Sequence, residues 1–193
     1  MLRRLYDWVL HWAETPYSLW ALFLLAFAEA SFFPIPPDVL LIALAVAKPS
    51  KSFKYALVCS LGSLLGGCAG YAIGYGFMAG IGQRIVHLYG FADKMAYIGD
   101  LYQRYDAWAV GIAGFTPIPY KVFTIAAGMF HIDFGVFALA SLVSRSAHFF
   151  LVGGLIYRFG PGIHAVIDRY FDKLALLFVI LLVLGFIVIK YVV

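Results

Sequence analysis

Phe33-Pro34-Ile35-Pro36-Pro37-Asp38-Val39 interrupts one apolar run, and 83 residues later Thr116-Pro117-Ile118-Pro119-Tyr120-Lys121-Val122 interrupts another. The two stretches share a Pro-Ile-Pro core and the valine that follows it, with an acid in one at the place where the other has a lysine. Proline lacks a backbone N–H and its ring clashes with the preceding turn, so neither run continues as one helix. The first run, Tyr17 to Ala47, is thereby divided into about Tyr17–Ser31 and Asp38–Ala47. Crossing a bilayer takes about 20 helical residues, so neither piece crosses alone. A helix that dips in, breaks and returns to the same side fits, provided protein or a watery cavity covers its irregular backbone.

The second run repeats the theme. An apolar piece from Trp108 meets Pro117 and Pro119, and Val122–Phe130 leads out. Each broken run is followed by a segment long enough to span, Tyr55–Met78 and Phe134–Tyr157, and Leu174–Ile189 supplies a last span. Within the first span Gly62, Gly66, Gly70 and Gly74 recur every four residues. Such a stripe lets another backbone approach closely, either in the same chain or in a second copy as a homo-oligomer. Short interrupted segments at matching positions in two halves point to a transporter site.

The expected fold is an all-α integral membrane protein of one domain over 1–193. An interfacial amphipathic helix (1–16) precedes a first repeat of re-entrant helical hairpin plus span (17–79). An interfacial connection (80–106), a second repeat (107–158), and an interfacial helix with the last transmembrane helix (159–193) follow. An odd number of spans separates the hairpins, so they enter from opposite faces and form an inverted repeat.

Composition agrees. The 193 residues are 64% hydrophobic and 12% charged, where soluble domains run about 45–50% and about 25%. The net charge of +4 lies in short clusters beside apolar segments. Arg3, Arg4, Lys48, Lys51, Lys54, Arg158, Arg169 and Lys173 share one side of the expected topology, and Arg84, Lys94, Arg104 and Lys190 the other. Eight against four makes the first side cytoplasmic. No basic helix carries interleaved aromatics, which argues against nucleic acid. Leu2, Leu5, Val9 and Trp12 share one helical face, while Asp7, His11 and Glu14 interrupt what a cleaved signal would need.

Cys59 and Cys68 form no CxxC, and His11, His87, His131, His148 and His164 are scattered. Neither a metal nor a cofactor is expected. The chain is not expected to be an enzyme: Ser144-Arg145 and His148 lack the orienting acid and spacing of a lipid phosphatase.

Four ionisable residues fall inside apolar segments: Glu29, Asp38, Lys121 and Arg145. A charge at bilayer depth costs ~2.5–3.5 kcal/mol on insertion scales, so it is rarely idle. Lys121 and Arg145 would attract a phosphate headgroup, with help from the N-termini of the helices that start near Asp38 and Lys121. Burial disfavours an ionised carboxyl, which would let Glu29 and Asp38 exchange protons with solvent. The competing reading pairs these acids and bases as static ties between the hairpins. His148, on the face of Arg145, reads as a packed or hydrogen-bonded residue in preference to a proton relay.

Glu29-Ala30-Ser31-Phe32-Phe33-Pro34-Ile35-Pro36-Pro37-Asp38 resembles the DedA family, related to the SNARE-associated Golgi or VTT-domain proteins. Gly66-Gly67-Cys68-Ala69-Gly70-Tyr71-Ala72-Ile73-Gly74 is similar to that family's glycine-rich helix. Gly114-Phe115-Thr116-Pro117-Ile118-Pro119-Tyr120-Lys121, with Ser144-Arg145 and Phe149-Phe150-Leu151-Val152, looks like the YqaA branch. The resemblance implies a multi-pass protein of the bacterial inner membrane that flips undecaprenyl phosphate or phospholipids, often at the expense of the proton gradient. Its partners would be anionic lipid headgroups, and Glu29 and Asp38 match its acidic positions. Many members carry arginines where Gly114 and Lys121 stand here. Two alternatives come from other classes: a non-transporting membrane organiser that binds a partner, and a cation–proton exchanger.

Overall fold

A computed structural model describes residues 17–88, 92–116 and 119–160. The expected interfacial helix of 1–16, Pro117, and everything from Pro161 through the last span lie outside the described residues. Among the described residues the chain is helix and turn, with no strand. Helices α1 (Ser18–Ser31) and α2 (Asp38–Ala47) flank the first proline break. A 3-10 turn, Pro49–Lys51, leads into α3 (Ser52–Phe77), which widens into a π-helical turn at Met78–Gly82. Then come α4 (Gln83–Leu88), α5 (Ala92–Phe115), α6 (Tyr120–Met129) and α7 (Phe134–Gly160). The polar connection and the apolar arm from Trp108 share one helix, α5, because no proline falls between Ala92 and Phe115 to stop it.

Among the described residues, two stretches are long and apolar enough to cross a membrane: Pro49–Gly82 with 34 residues and Phe134–Gly160 with 27. Their polarity is inside-out. On α3 the large side chains Phe53, Leu57, Leu61 and Leu65 point outward, while Ser52, Cys59, Ser63 and the glycines of the stripe, Gly62, Gly66, Gly70 and Gly74, are buried. On α7, Leu139, Val143, Leu151 and Leu155 face out and Ser141, Ser144 and Arg145 face in. Water would reject that surface; lipid does not.

The glycine stripe sets how the other helices lie on α3. A Cβ on Gly62 would sit 2.6 Å from the Phe23 carbonyl oxygen, and one on Gly66 would overlap that of Phe27. Gly70 faces Thr124 and the Ala30 carbonyl, and Gly74 faces the Ile125 carbonyl. The register rises together, so α1 runs parallel to α3 along its first half and α6 runs parallel along its second. α7 runs antiparallel: Phe137 meets Gly67, Arg145 meets Ser63, and Gly153 meets Ala56 and the Ser52 carbonyl. The stripe is thus filled from within the chain.

Two cores result. One joins Leu22 and Ala26 of α1, Leu40, Leu41 and Leu44 of α2, Ala56 and Cys59 of α3, and Phe149. The other joins Ala30, Val110, Ala113, Tyr120, Ala127 and Phe137. α6 turns into α7 through His131, which takes a left-handed φ of 54°, and Asp133 Oδ1 caps α7 by accepting from Val136 N at 2.9 Å.

Because the glycines face backbone, side chains there cannot be absorbed by rotamer changes. Gly66→Leu or Gly74→Leu is expected to destabilise by about 1–3 kcal/mol or more. Gly76→Ala, whose Cβ meets open space, is expected to be neutral or stabilising by up to about 1 kcal/mol. Thermal unfolding of the detergent-solubilised variants checks the contrast.

Candidate functional site

In an unbroken helix the carbonyls of Ala30, Phe33 and Phe115 would bond the N–H groups of residues 34, 37 and 119, and all three of those are prolines. Side chains from the second half of the chain take their place. Lys121 Nζ donates to Phe33 O at 3.1 Å. Thr124 Oγ1 lies 3.0 Å from Ala30 O and equally from Lys121 O in its own helix. His148 Nδ1 lies 3.1 Å from Phe115 O. A buried polar group left without a partner costs about 1–3 kcal/mol, so α6 and α7 complete the broken ends of α1 and α5.

The same side chains bring charge to one place. Arg145 Nη2 donates to Glu29 Oε2 at 3.0 Å, and its Nε donates to Ser63 Oγ at 2.7 Å. The guanidinium carbon lies 4.5 Å from the Phe149 ring centroid and 5.0 Å from that of Tyr120, so aromatic faces supply further cation–π attraction. Arg145 Nη1 makes no hydrogen bond among the described residues. His148 Nε2 lies 2.8 Å from Asp38 Oδ1. Arg145, Asp38, Lys121 and His148 all act electrostatically on Glu29. The Arg145 and Glu29 side chains are 6% and 12% exposed, those of His148 and Asp38 22% and 28%, so the cluster has an enclosed pair and a more open one.

Depth follows from helix rise. Ser63 and Arg145 each stand roughly 17 Å along from Ser52 and Phe134, the starts of α3 and α7. Both long helices therefore carry the cluster near their middles.

Of the four ionisable residues singled out from sequence, Glu29 and Arg145 meet directly. Asp38 pairs with His148, not with a lysine or arginine, and Lys121 caps backbone, making no ion pair among the described residues. Sequence reading passed over Ser63 and Thr124 and left His148 outside the site. Spacing could have found two of them: His148 follows Arg145 by three residues, as Thr124 follows Lys121. Gly114 has a local reason. A Cβ there would overlap Ser144 Oγ and approach Arg145 Cδ to 3.5 Å, so the arginine that resembling proteins carry would displace α7.

Long apolar helices with inward charge, broken helices capped by side chains and a buried ion cluster at half-depth define an all-helical membrane protein. The VTT domain family model matches residues 35–158, and the chain belongs to that family, the DedA/SNARE-associated Golgi proteins. It is similar to an uncharacterized protein of Haemophilus influenzae, 34% identical with 96% of each chain covered. A homologue of that kind in Histophilus somni is also 34% identical, over 96% of this chain and 97% of its own length. The Golgi apparatus membrane protein TVP38 of Eremothecium gossypii is 25% identical over 88% of this chain and 54% of its own. No solved structure matches.

Removing Arg145 strands Glu29 and Ser63 in a dry site. Arg145→Ala is expected to cost about 3–5 kcal/mol, and Glu29→Ala/Arg145→Ala together less than Arg145→Ala alone, because no buried charge is left unpaired. A double-mutant cycle read by thermal unfolding in detergent checks this.

Proposed function

We propose that this protein moves a lipid bearing a phosphate headgroup, undecaprenyl phosphate or a phospholipid, across the bacterial inner membrane, with protons as the coupled species. In this reading α1–α2 and α5–α6 are re-entrant hairpins that enter from opposite faces, and their tips meet at the bilayer midplane as an inverted repeat. The observation that carries it is a permanently charged arginine held by a carboxylate near the middle of both long helices.

A guanidinium does not give up its proton in a protein, whereas a carboxylate can take one up. Protonating Glu29 removes its claim on Nη2. A phosphate can then take the guanidinium by two parallel hydrogen bonds, with Lys121 adding a mobile positive charge. Deprotonation restores Glu29 as the competitor and expels the headgroup. Proton and phosphate thus bind together and leave together, one arginine serving both. The outward apolar surface leaves the acyl chains in lipid while only the headgroup enters the polar path.

The test is headgroup movement in proteoliposomes containing the purified protein. Glu29→Gln, Asp38→Asn and Lys121→Ala are each expected to slow it about tenfold or more, the effect of ~1.4 kcal/mol on a barrier, while the variants remain folded. Wild type that moves no anionic lipid above protein-free vesicles, with or without a pH gradient, overturns transport and leaves the membrane-organiser reading.

A further inference from the structure

His148 makes two contacts that a neutral imidazole and an ionised carboxylate cannot both satisfy. Its Nδ1 faces the Phe115 carbonyl oxygen at 3.1 Å, and a carbonyl oxygen only accepts. Nδ1 must therefore carry a hydrogen. Its Nε2 faces Asp38 Oδ1 at 2.8 Å, and an ionised carboxylate also only accepts. Neutral imidazole has one N–H, so it serves one partner and turns a lone pair on the other. Both bonds exist together in two cases. Either His148 is an imidazolium beside an ionised Asp38, or Asp38 is protonated and donates to Nε2. Both cases contain one proton more than the neutral histidine and ionised aspartate.

The two partners belong to different hairpins. Asp38 is the first residue of α2, and Phe115 is the last of α5, its carbonyl left bare by Pro119. We infer that Asp38 and His148 share a single extra proton and that this proton latches the start of α2 to the end of α5 through α7. Loss of the proton to water leaves one N–H for two acceptors, so one hairpin end lets go. Both side chains are more than a fifth exposed, against 12% or less for Glu29 and Arg145, so this is the more open of the two pairs.

The charged and titratable groups that act on the pair from the packed elements are Glu29 on α1, Cys59 on α3 and Arg145 on α7, with Lys121 of α6 acting on Glu29. None of these makes a hydrogen bond to His148 among the described residues, so the ring's own hydrogens decide the latch. Its role in coupling rests on the transport reading above; its existence rests only on the two hydrogen bonds. In transport the latch would register the proton at the more open pair while Glu29 and Arg145 handle the headgroup.

Spin labels at exposed Phe32 and Ile112, in protein with Cys59 and Cys68 replaced by alanine and reconstituted in lipid nanodiscs, report the separation of the two hairpins by pulsed electron resonance. As pH rises from mildly acidic to mildly alkaline, the distance distribution is expected to shift and broaden. His148→Ala is expected to show the high-pH distribution throughout. Asp38→Asn is expected to keep the low-pH distribution at every pH, because the asparagine amide can donate to Nε2 while Nδ1 donates to Phe115. A native distribution that stays unchanged across that range overturns the latch, as does an Asp38→Asn protein that still responds to pH. Lipid movement is not read here, so the latch can hold where transport fails, and the reverse.

Discussion

A carbonyl that loses its helical partner to proline, in surroundings without water, must be given a donor by some other part of the chain. The carbonyls of Ala30, Phe33 and Phe115 are in that position, and their donors come from Thr124, Lys121 and His148. This requirement fixes the placement of α6 against α1 and of α7 against α5. It also explains why a lysine and a histidine stand inside apolar helices where a packing argument alone would place leucine. The glycines of α3 make the arrangement reachable. Thr124 can approach Ala30 only because Gly70 leaves no Cβ between them and α3.

The ion cluster uses the same close approach. Gly114 lets α7 come near enough to α5 for Arg145 to reach Ser63 and Glu29. A buried pair is a poor stabilising device, since well-packed apolar residues of similar size often do as well or better. What a pair supplies that leucines cannot is a charge that can change partners. Arg145 is suited to that, because the Tyr120 and Phe149 rings attract the guanidinium whichever anion it holds.

Much of this was legible in the sequence. The prolines gave the breaks in both runs, and α2 spans the residues expected of it; apolar length found both long helices; the cost of intramembrane charge singled out Glu29 and Arg145. Pairing was harder to read. Asp38 and Lys121 occupy matching places in two repeats, which suggests that they face each other, yet each meets a different group. Side-chain reach and the bare carbonyls decide this, and both depend on helix register across α3. Thr124, and half of what His148 does, escaped that search because the partner is a backbone carbonyl, which a search for charges and motifs does not see. The continuity of α5 was obscured by its change from polar to apolar at Trp108, a change of surroundings and not of backbone.

The distribution of charge between the halves has a consequence of its own. Both acids, Glu29 and Asp38, stand in the first broken run, while Lys121, Arg145 and His148 all stand in the second half. Ionic attraction between the halves therefore depends on whether the two carboxylates are ionised. The hydrogen bonds from Lys121 to Phe33 and from Thr124 to Ala30 do not, because backbone carbonyls do not titrate. Neutralising Glu29 frees Arg145 and leaves the halves docked along the glycine stripe, while a proton on the Asp38–His148 pair keeps that contact closed. A membrane protein with both kinds of contact can exchange ions at its centre without coming apart. One held only by ion pairs could not, and one held only by packing would have nothing to exchange.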